Sequence, residues 1–275
     1  MSMSIKTNVS SLNAQRHLFQ NGMALESSLS KLSSGYRITK AADDAAGMGI
    51  SSNLEAQVKS YNQASHNAQD GLSLVQTAEG GLNEVTNILS RLRELAMQSS
   101  SDGVGDTERG YVQDETDALT TEIDRIANAT EYNGKSLLNS SSTTLTFQVG
   151  IRNVAANDHI DVKTVDAKAS TLGVNGLDLS DKSAAGDALD TIDAAIEMVS
   201  SARSSFGAAA NRLTSAVSTI QTAAENLTAA NSRIRDVDVA EETSKMARSN
   251  VLMQAGVSVL AQANQQPQMA LKLLG

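Results

Sequence analysis

Apolar residues recur along this chain at alternating steps of three and four, the pattern of helices that pack lengthwise against one another. The clearest run passes through Leu189, Ile192, Ile196, Val199, Arg203, Phe206, Ala210, Leu213, Val217, Ile220, Ala224, Leu227, Asn231 and Ile234. Twelve of these fourteen positions are apolar. The spacing predicts one helix of roughly 70 Å at 1.5 Å per residue, with Arg203 and Asn231 as candidates for register control. A second long helix is predicted over residues 45–99. Its seam runs through Leu54, Val58, Tyr61, Ser65, Ala68, Leu72 and Val75, then steps to Ala78, Leu82, Val85, Leu89, Leu92 and Ala96. The step coincides with Gly80-Gly81. Two mid-helix glycines cost about 2 kcal/mol relative to alanine, so they imply a bend or the close approach of a neighbour. A third helix, from Asp106 or Thr107 to about Ala129, carries Val112, Leu119, Ile123 and Ile126 on one face and is expected to fold back on the second.

The two ends of the chain differ from these. The first stretch, residues 1–34, has one stripe through Ile5, Val9, Leu12, Arg16, Phe19 and Met23. A second, offset stripe runs through Leu18, Leu25, Leu29, Leu32 and Tyr36. The last stretch carries Met246, Met253, Val257, Leu260, Leu271 and Leu274, with Asn264 and Pro267 completing the spacing. The first stretch is its counterpart, and the stripe beginning at Ile5 follows the same spacing. A helix with two apolar stripes has to be covered on two sides. The chain offers few other large apolar residues to do so, which points to burial between molecules.

Between the helices, residues 130–182 change period. Asn133-Gly134 is a turn dipeptide. Leu145, Phe147 and Val149 alternate with polar neighbours, and a second short strand is read from Ile160 through Val162 to Val165. This region is expected to form a small β-hairpin. The run Ser140, Ser141, Ser142, Thr143 and Thr144 reads either as a polar linker or as acceptors for O-linked sugars. Near the first end, Asp43 or Asp44 is read as a helix N-cap before Ala45; an adjacent pair supplies too few ligands for calcium.

Composition fits this picture. Aromatic residues make up 3% of the 275, Trp and Cys are absent and Pro267 is the only proline. Few prolines permit long helices, and few aromatics argue against a wide core. The net charge of −9 carries no basic cluster, so no nucleic-acid partner is expected. No run approaches the roughly 20 apolar residues of a membrane span, and no cleavable secretory signal is visible at the N-terminus. Without cysteine there are no disulfides or thiolate metal sites. His17, His66 and His159 lack ligand spacing, and no phosphate-binding loop is present. No catalytic residue, cofactor or metal is therefore expected, and the chain does not read as an enzyme.

With these elements placed, specific segments become recognisable: Asn8–Gln15 (NVSSLNAQ), Leu32–Gly49 (LSSGYRITKAADDAAGMG), Ile88–Gln98 (ILSRLRELAMQ), Glu131–Leu138 (EYNGKSLL), Phe147–Gly150 (FQVG) and Arg233–Leu274. In these the chain resembles the bacterial flagellins, in order and at both ends. The resemblance implies a mainly α fold of long antiparallel, coiled-coil helices with a small β-hairpin region and no large central insertion. It implies that residues 1–42 pair with 236–275 as an inner core. Residues 43–139 with 183–235 would form an outer helical rod, and 140–182 the small hairpin region.

The function implied is self-assembly into the flagellar filament used for swimming. Ile5, Val9, Leu12, Phe19, Leu29, Leu32, Met253, Val257, Leu260, Leu271 and Leu274 are the candidate assembly residues. Implied partners are other flagellin subunits, an export chaperone on the C-terminal helix, and the filament cap and hook-junction proteins. The implied location is extracellular, reached through the flagellar secretion channel. A host Toll-like receptor is a further implied partner, with its contact motif falling on Arg91, Leu95 and Glu115. Rival readings are a hook–filament junction protein and, in another class, a soluble signalling coiled coil of the chemoreceptor kind.

Overall fold

The structure, a computed structural model, describes residues 7–140 and 143–274, with side chains described as far as residue 265. Ile5, Ser141 and Ser142, and the side chains of Leu271 and Leu274, lie outside the described residues. The helices are α1 (Val9–Ser34), α2 (Ala45–Ser99), α3 (Asp106–Ala129), α4 (Ala155–Asp158), α5 (Ala169–Leu172), α6 (Lys182–Arg235) and α7 (Val239–Leu274). The strands are β1 (Glu131–Tyr132), β2 (Lys135–Ser136), β3 (Thr144–Gln148) and β4 (His159–Lys163). Thus the fold is mainly α with two small antiparallel sheets, β1–β2 and β3–β4. The chain divides into two compact units, residues 1–56 with 226–275, and residues 57–225. Helices α2 and α6 contribute residues to both.

The 57–225 unit has one continuous apolar core. On α2 the second half of its seam, Ala78, Leu82, Val85, Leu89, Leu92 and Ala96, is buried throughout. On α6, Ile192, Val199, Phe206, Leu213 and Ile220 are buried, and the alternate positions of the same heptad are half-buried. Ala188, Ala195, Ala202 and Ala209 add a second buried line beside them, so α6 is covered over a band wider than one seam. Arg93 of α2 meets Asp193 of α6 at 2.6 Å, and Lys182 of α6 meets Asp102 just beyond α2 at 2.7 Å, so the two helices run antiparallel.

Helix α2 passes Gly80-Gly81 without a break. A Cβ on Gly81 would lie 2.7 Å from both Leu138 Cδ1 and Thr130 Oγ1, so that glycine admits a close neighbour. Gly71 does the same for the Phe147 ring of β3, whose nearest atoms would be 3.0 Å from an added Cβ. The α2 C-terminus is closed by Arg109, nine-tenths buried, which donates to the Ser99 and Ser101 carbonyls at 3.0 and 3.1 Å. The β3–β4 register pairs Leu145 with Val162 and Phe147 with Ile160, placing the alternating apolar residues together. Asn133 and Gly134 both have positive φ, 50° and 72°, as the tight β1–β2 turn requires.

In the other unit, α1 lies antiparallel against α7. Asn8 caps α1 by accepting from the Ser11 amide at 3.0 Å, and Gly35 ends it in the left-handed conformation at φ 75°. Asp44 caps α2 by accepting from the Gly47 amide at 2.9 Å. Asp43 holds the preceding turn: the Lys40 and Thr39 amides keep its carboxyl below the usual carboxylate range. Asp238 caps α7 by accepting from the Ala240 amide at 2.9 Å.

Candidate assembly interface

Helix α1 meets α7 through Ser11, Ala14, Leu18, Asn21, Leu25, Ser28 and Leu32, all buried or half-buried. Their spacing is a strict alternation of three and four. Facing them on α7 are Glu242, Met246, Ser249, Met253, Gly256, Leu260 and Ala263, with the same spacing. Five of these fourteen positions are polar and three are Ala or Gly. Three hydrogen-bonded contacts tie the seam. The Ser28 hydroxyl donates to Glu242 Oε1 at 2.7 Å, with both residues buried. The Ser11 hydroxyl donates to Asn264 Oδ1 at 2.8 Å, and Asn8 Nδ2 to the Ala263 carbonyl at 2.8 Å. Between them Leu18 enters the gap left by Gly256, where a Cβ would come within 3.0 Å of Leu18 Cδ1.

The seam separates the two stripes read on the first helix. Sequence periodicity gave both and left open which of them meets the last helix. The line through Leu18, Leu25 and Leu32 makes that contact. Val9, Leu12, Phe19 and Met23 fall on the opposite face of α1, with Phe19 70% exposed and Leu12 52% exposed. Leu29, at 51%, and Val257, at 54%, also stand outside the seam, whereas Leu32, Met253 and Leu260 are half-buried within it. Val251, Leu252 and Val259 add further exposed apolar residues on α7. Helices ordinarily put their large apolar residues inward; here eight of the fourteen inward positions are small or polar, and Val9, Leu12, Phe19 and Met23 face out. The physical reason is that small residues let α1 and α7 approach closely, which leaves the bulk available elsewhere.

Residues 36–38 and 234–237 are stitched together beside this pair. Tyr36 bridges Asp236 across an antiparallel backbone pairing, and the Val237 amide donates to the Gly35 carbonyl at 3.0 Å. The Arg235 guanidinium lies 4.2 Å from the Tyr36 ring centre and pairs with Glu55 at 2.9 Å. Asn231, a sequence candidate for register control, accepts from the buried Ser51 hydroxyl at 2.7 Å. Sequence reading missed Ser28 and Glu242. The available signal was a glutamate at an inward heptad position, one turn into α7.

The other candidate residues lie in the 57–225 unit. Arg91 and Glu115 join α2 to α3 through an exposed ion pair at 2.9 Å. Leu95 is 1% exposed, so it belongs to the core and is withdrawn from the receptor-contact set; Leu92, Leu95 and Ala96 all face inward there. Ser140 is half-buried, whereas Thr143 and Thr144 are exposed, Thr144 opening β3.

Family comparison follows the same division of the chain. The bacterial flagellin N-terminal helical region matches residues 5–143, and the bacterial flagellin C-terminal helical region matches residues 189–274. The chain belongs to the bacterial flagellin family. Among curated flagellins it is 44% identical over 272 residues to that of Halalkalibacterium halodurans, covering 99% of this chain and 100% of the relative. It is 42% identical over 305 residues to that of Bacillus subtilis, covering 99% and 100%. The crystal structure of Bacillus cereus flagellin matches with a TM-score of 0.51 and 30% identity, covering 60% of this chain and 94% of that one. Flagellin likeness therefore extends over the terminal helices that carry the exposed apolar face. Neither a junction protein nor a signalling coiled coil is favoured by it.

Proposed function

We propose that this chain is the structural subunit of an extracellular flagellar filament for swimming and polymerises through α1 and α7. The observation that carries the reading is the outward apolar face of α1, Val9, Leu12, Phe19 and Met23, left uncovered while α1 is already paired. Apolar surface gains about 25 cal/mol per Å² when removed from water, and neighbouring subunits are the natural cover for a face repeated in every copy. Leu29, Val257 and the flank of α7 add further exposed apolar residues, and Leu271 and Leu274 join the proposal from the sequence alone. Leu32, Met253 and Leu260 act from within the pair, holding the two helices together. No helix among the described residues is long and apolar enough to cross a membrane.

The export route through the flagellar channel, a chaperone on the α7 segment, and cap and hook-junction partners belong to the same proposal. Recognition by a host Toll-like receptor would rest on the exposed Arg91 and Glu115 pair. Purified monomer should then activate reporter cells carrying that receptor, and inactivity at saturating dose would remove this partner. O-linked sugars, if carried, would sit at Thr143 and Thr144 among the described residues.

Electron microscopy tests the main reading. Purified full chain is treated with a precipitant salt beside a chain lacking residues 1–40 and 240–275. Long uniform filaments from the first and none from the second are expected. A discrete oligomer from the full chain would refute the filament reading.

A further inference from the structure

Large apolar layers along a helix pair tolerate sliding by one heptad, because each layer meets another of similar kind. The α1–α7 seam is built differently. Its most buried polar contact joins Ser28 to Glu242 at one end, and Ser11 meets Asn264 towards the other. A slide of one heptad in one direction carries Glu242 beyond Ser34, the last residue of α1. In the other direction Glu242 faces Asn21, but Leu18 then leaves Gly256 and meets Ser249. Gly256 is the only glycine among the seam positions of α7, so the gap that admits Leu18 exists at one register only.

We propose that Glu242, held by Ser28, is a positioning residue for assembly: it fixes the register of α1 against α7 and so the alignment of their outward apolar residues. A polar group at an inward position lowers the stability of a helix pair but selects one register. The groups around the carboxylate support one ionised acceptor. Ser28 donates to it, Lys245 lies 3.5 Å away and also pairs with Glu241, and Lys31 stands on the facing end of α1. Replacing Glu242 by leucine would strengthen the seam and free its register. The outward stripes of the two helices would then no longer line up identically in every copy, which a regular polymer requires.

This inference rests on the filament reading above and is tested separately from it. The chain has no native cysteine, so Leu18→Cys with Gly256→Cys reports the register alone. The shorter side chain at 18 makes room for the added one at 256. In that background, Glu242→Leu is expected to cut the disulfide yield by about half and to raise the critical concentration for polymerisation about tenfold. Ser28→Ala should shift both in the same direction. Glu242→Gln, which keeps the acceptor, should restore both. Melting of the 57–225 unit serves as the folding control and should stay unchanged. Wild-type disulfide yield and critical concentration in both Glu242→Leu and Ser28→Ala would overturn the proposal. Should Glu242→Leu form no polymer, Ser28→Ala decides alone. If the unsubstituted chain forms no polymer, the filament reading fails, and the same disulfide yields measured in the soluble chain decide the register question.

Discussion

The two units of this protein use the same heptad spacing in opposite ways. In the 57–225 unit the large apolar residues point inward: Leu82, Leu89, Leu92, Ile192 and Leu213 have no measurable exposure. In the α1–α7 pair eight of the fourteen inward positions are small or polar, Ser28, Glu242 and Gly256 among them, while Phe19, Leu12 and Val257 are exposed outside the seam. One unit buries its bulky apolar residues within a single chain, and the other leaves many of them exposed on the face proposed for assembly. Charge divides likewise. Residues 57–225 hold 12 Lys and Arg against 23 Asp and Glu, a net −11, whereas the remainder holds 10 against 8, a net +2. On the proposed function, stability and assembly rest on different residues, and changing each set separately tests that division.

The strongest break of this comparison is a charge on the outward face. Phe19→Asp should abolish filaments in electron microscopy and sedimentation while leaving the thermal unfolding of the 57–225 unit as it was. Leu271→Asp and Leu274→Asp are expected to act alike. Normal filaments from all three would show that the exposed face is not the contact. The reverse experiment is Leu89→Ala, a cavity in the closed core. It should cost about 2–5 kcal/mol, with Tm falling by about 2–4 °C per kcal/mol for a unit of this size. Filaments should still form below the lowered Tm, as checked by calorimetry and microscopy on one preparation.

Smaller effects sharpen the charge contrast. Neighbouring copies bring acidic surfaces together, so the critical concentration should fall as monovalent salt rises over the range that shortens the Debye length from about 30 to 8 Å. A critical concentration independent of salt would mean that the charge excess lies away from neighbours.

Acid gives a finer probe of the seam. The Ser28 hydroxyl, followed by Lys245 and Lys31, holds the Glu242 carboxyl below its ordinary 4.5 despite the opposing effect of burial. A depressed folded pKa contributes stability that is complete above the unfolded value and disappears as pH falls through the folded one. The α1–α7 pairing should thus weaken on acidification below the ordinary carboxylate range, and Glu242→Gln should flatten that part of the filament-dissociation curve. Least of all, Asp193→Asn removes an exposed ion pair with Arg93 and should leave Tm unchanged, since such pairs are screened by water and salt.

Much of the fold was legible because regular burial writes a regular pattern. The α6 heptads from Leu189 to Ile234 describe a helix that is covered along its length, and α6 spans Lys182–Arg235. Helix α2 was placed at its observed bounds, and the alternation of Leu145, Phe147 and Val149 marked β3. Gly80-Gly81 signalled a constraint without saying which; the close packing of Leu138 and Thr130 on Gly81 supplies the answer. The receptor motif illustrates the limit from another side. Arg91, Leu95 and Glu115 carry the right residue types, yet one of the three points into the core. Spacing along α2 alone cannot orient a face whose helix is covered on more than one side.

The terminal helices show the same limit most plainly. Periodicity finds the strongest apolar stripe on a helix and cannot say whether that stripe meets the same chain or another copy. On α1 it found two stripes, the outward Val9, Leu12, Phe19 and Met23 and the inward Leu18, Leu25 and Leu32, without telling them apart. The inward serines, alanines and glycine that complete the seam carry little hydrophobic signal and went unread. By itself the sequence determined the order and period of the helices, the β-hairpin region, the family and the need for partners at both ends, since each follows from local residue types. Only the tertiary structure decided which stripe pairs within the chain, that Ser28 meets Glu242 inside that seam, and that Leu95 is buried. The first two depend on residues more than 200 positions apart meeting at atomic distance, where shape and hydrogen bonding help select the partner; the last depends on how α2 is covered within its own unit.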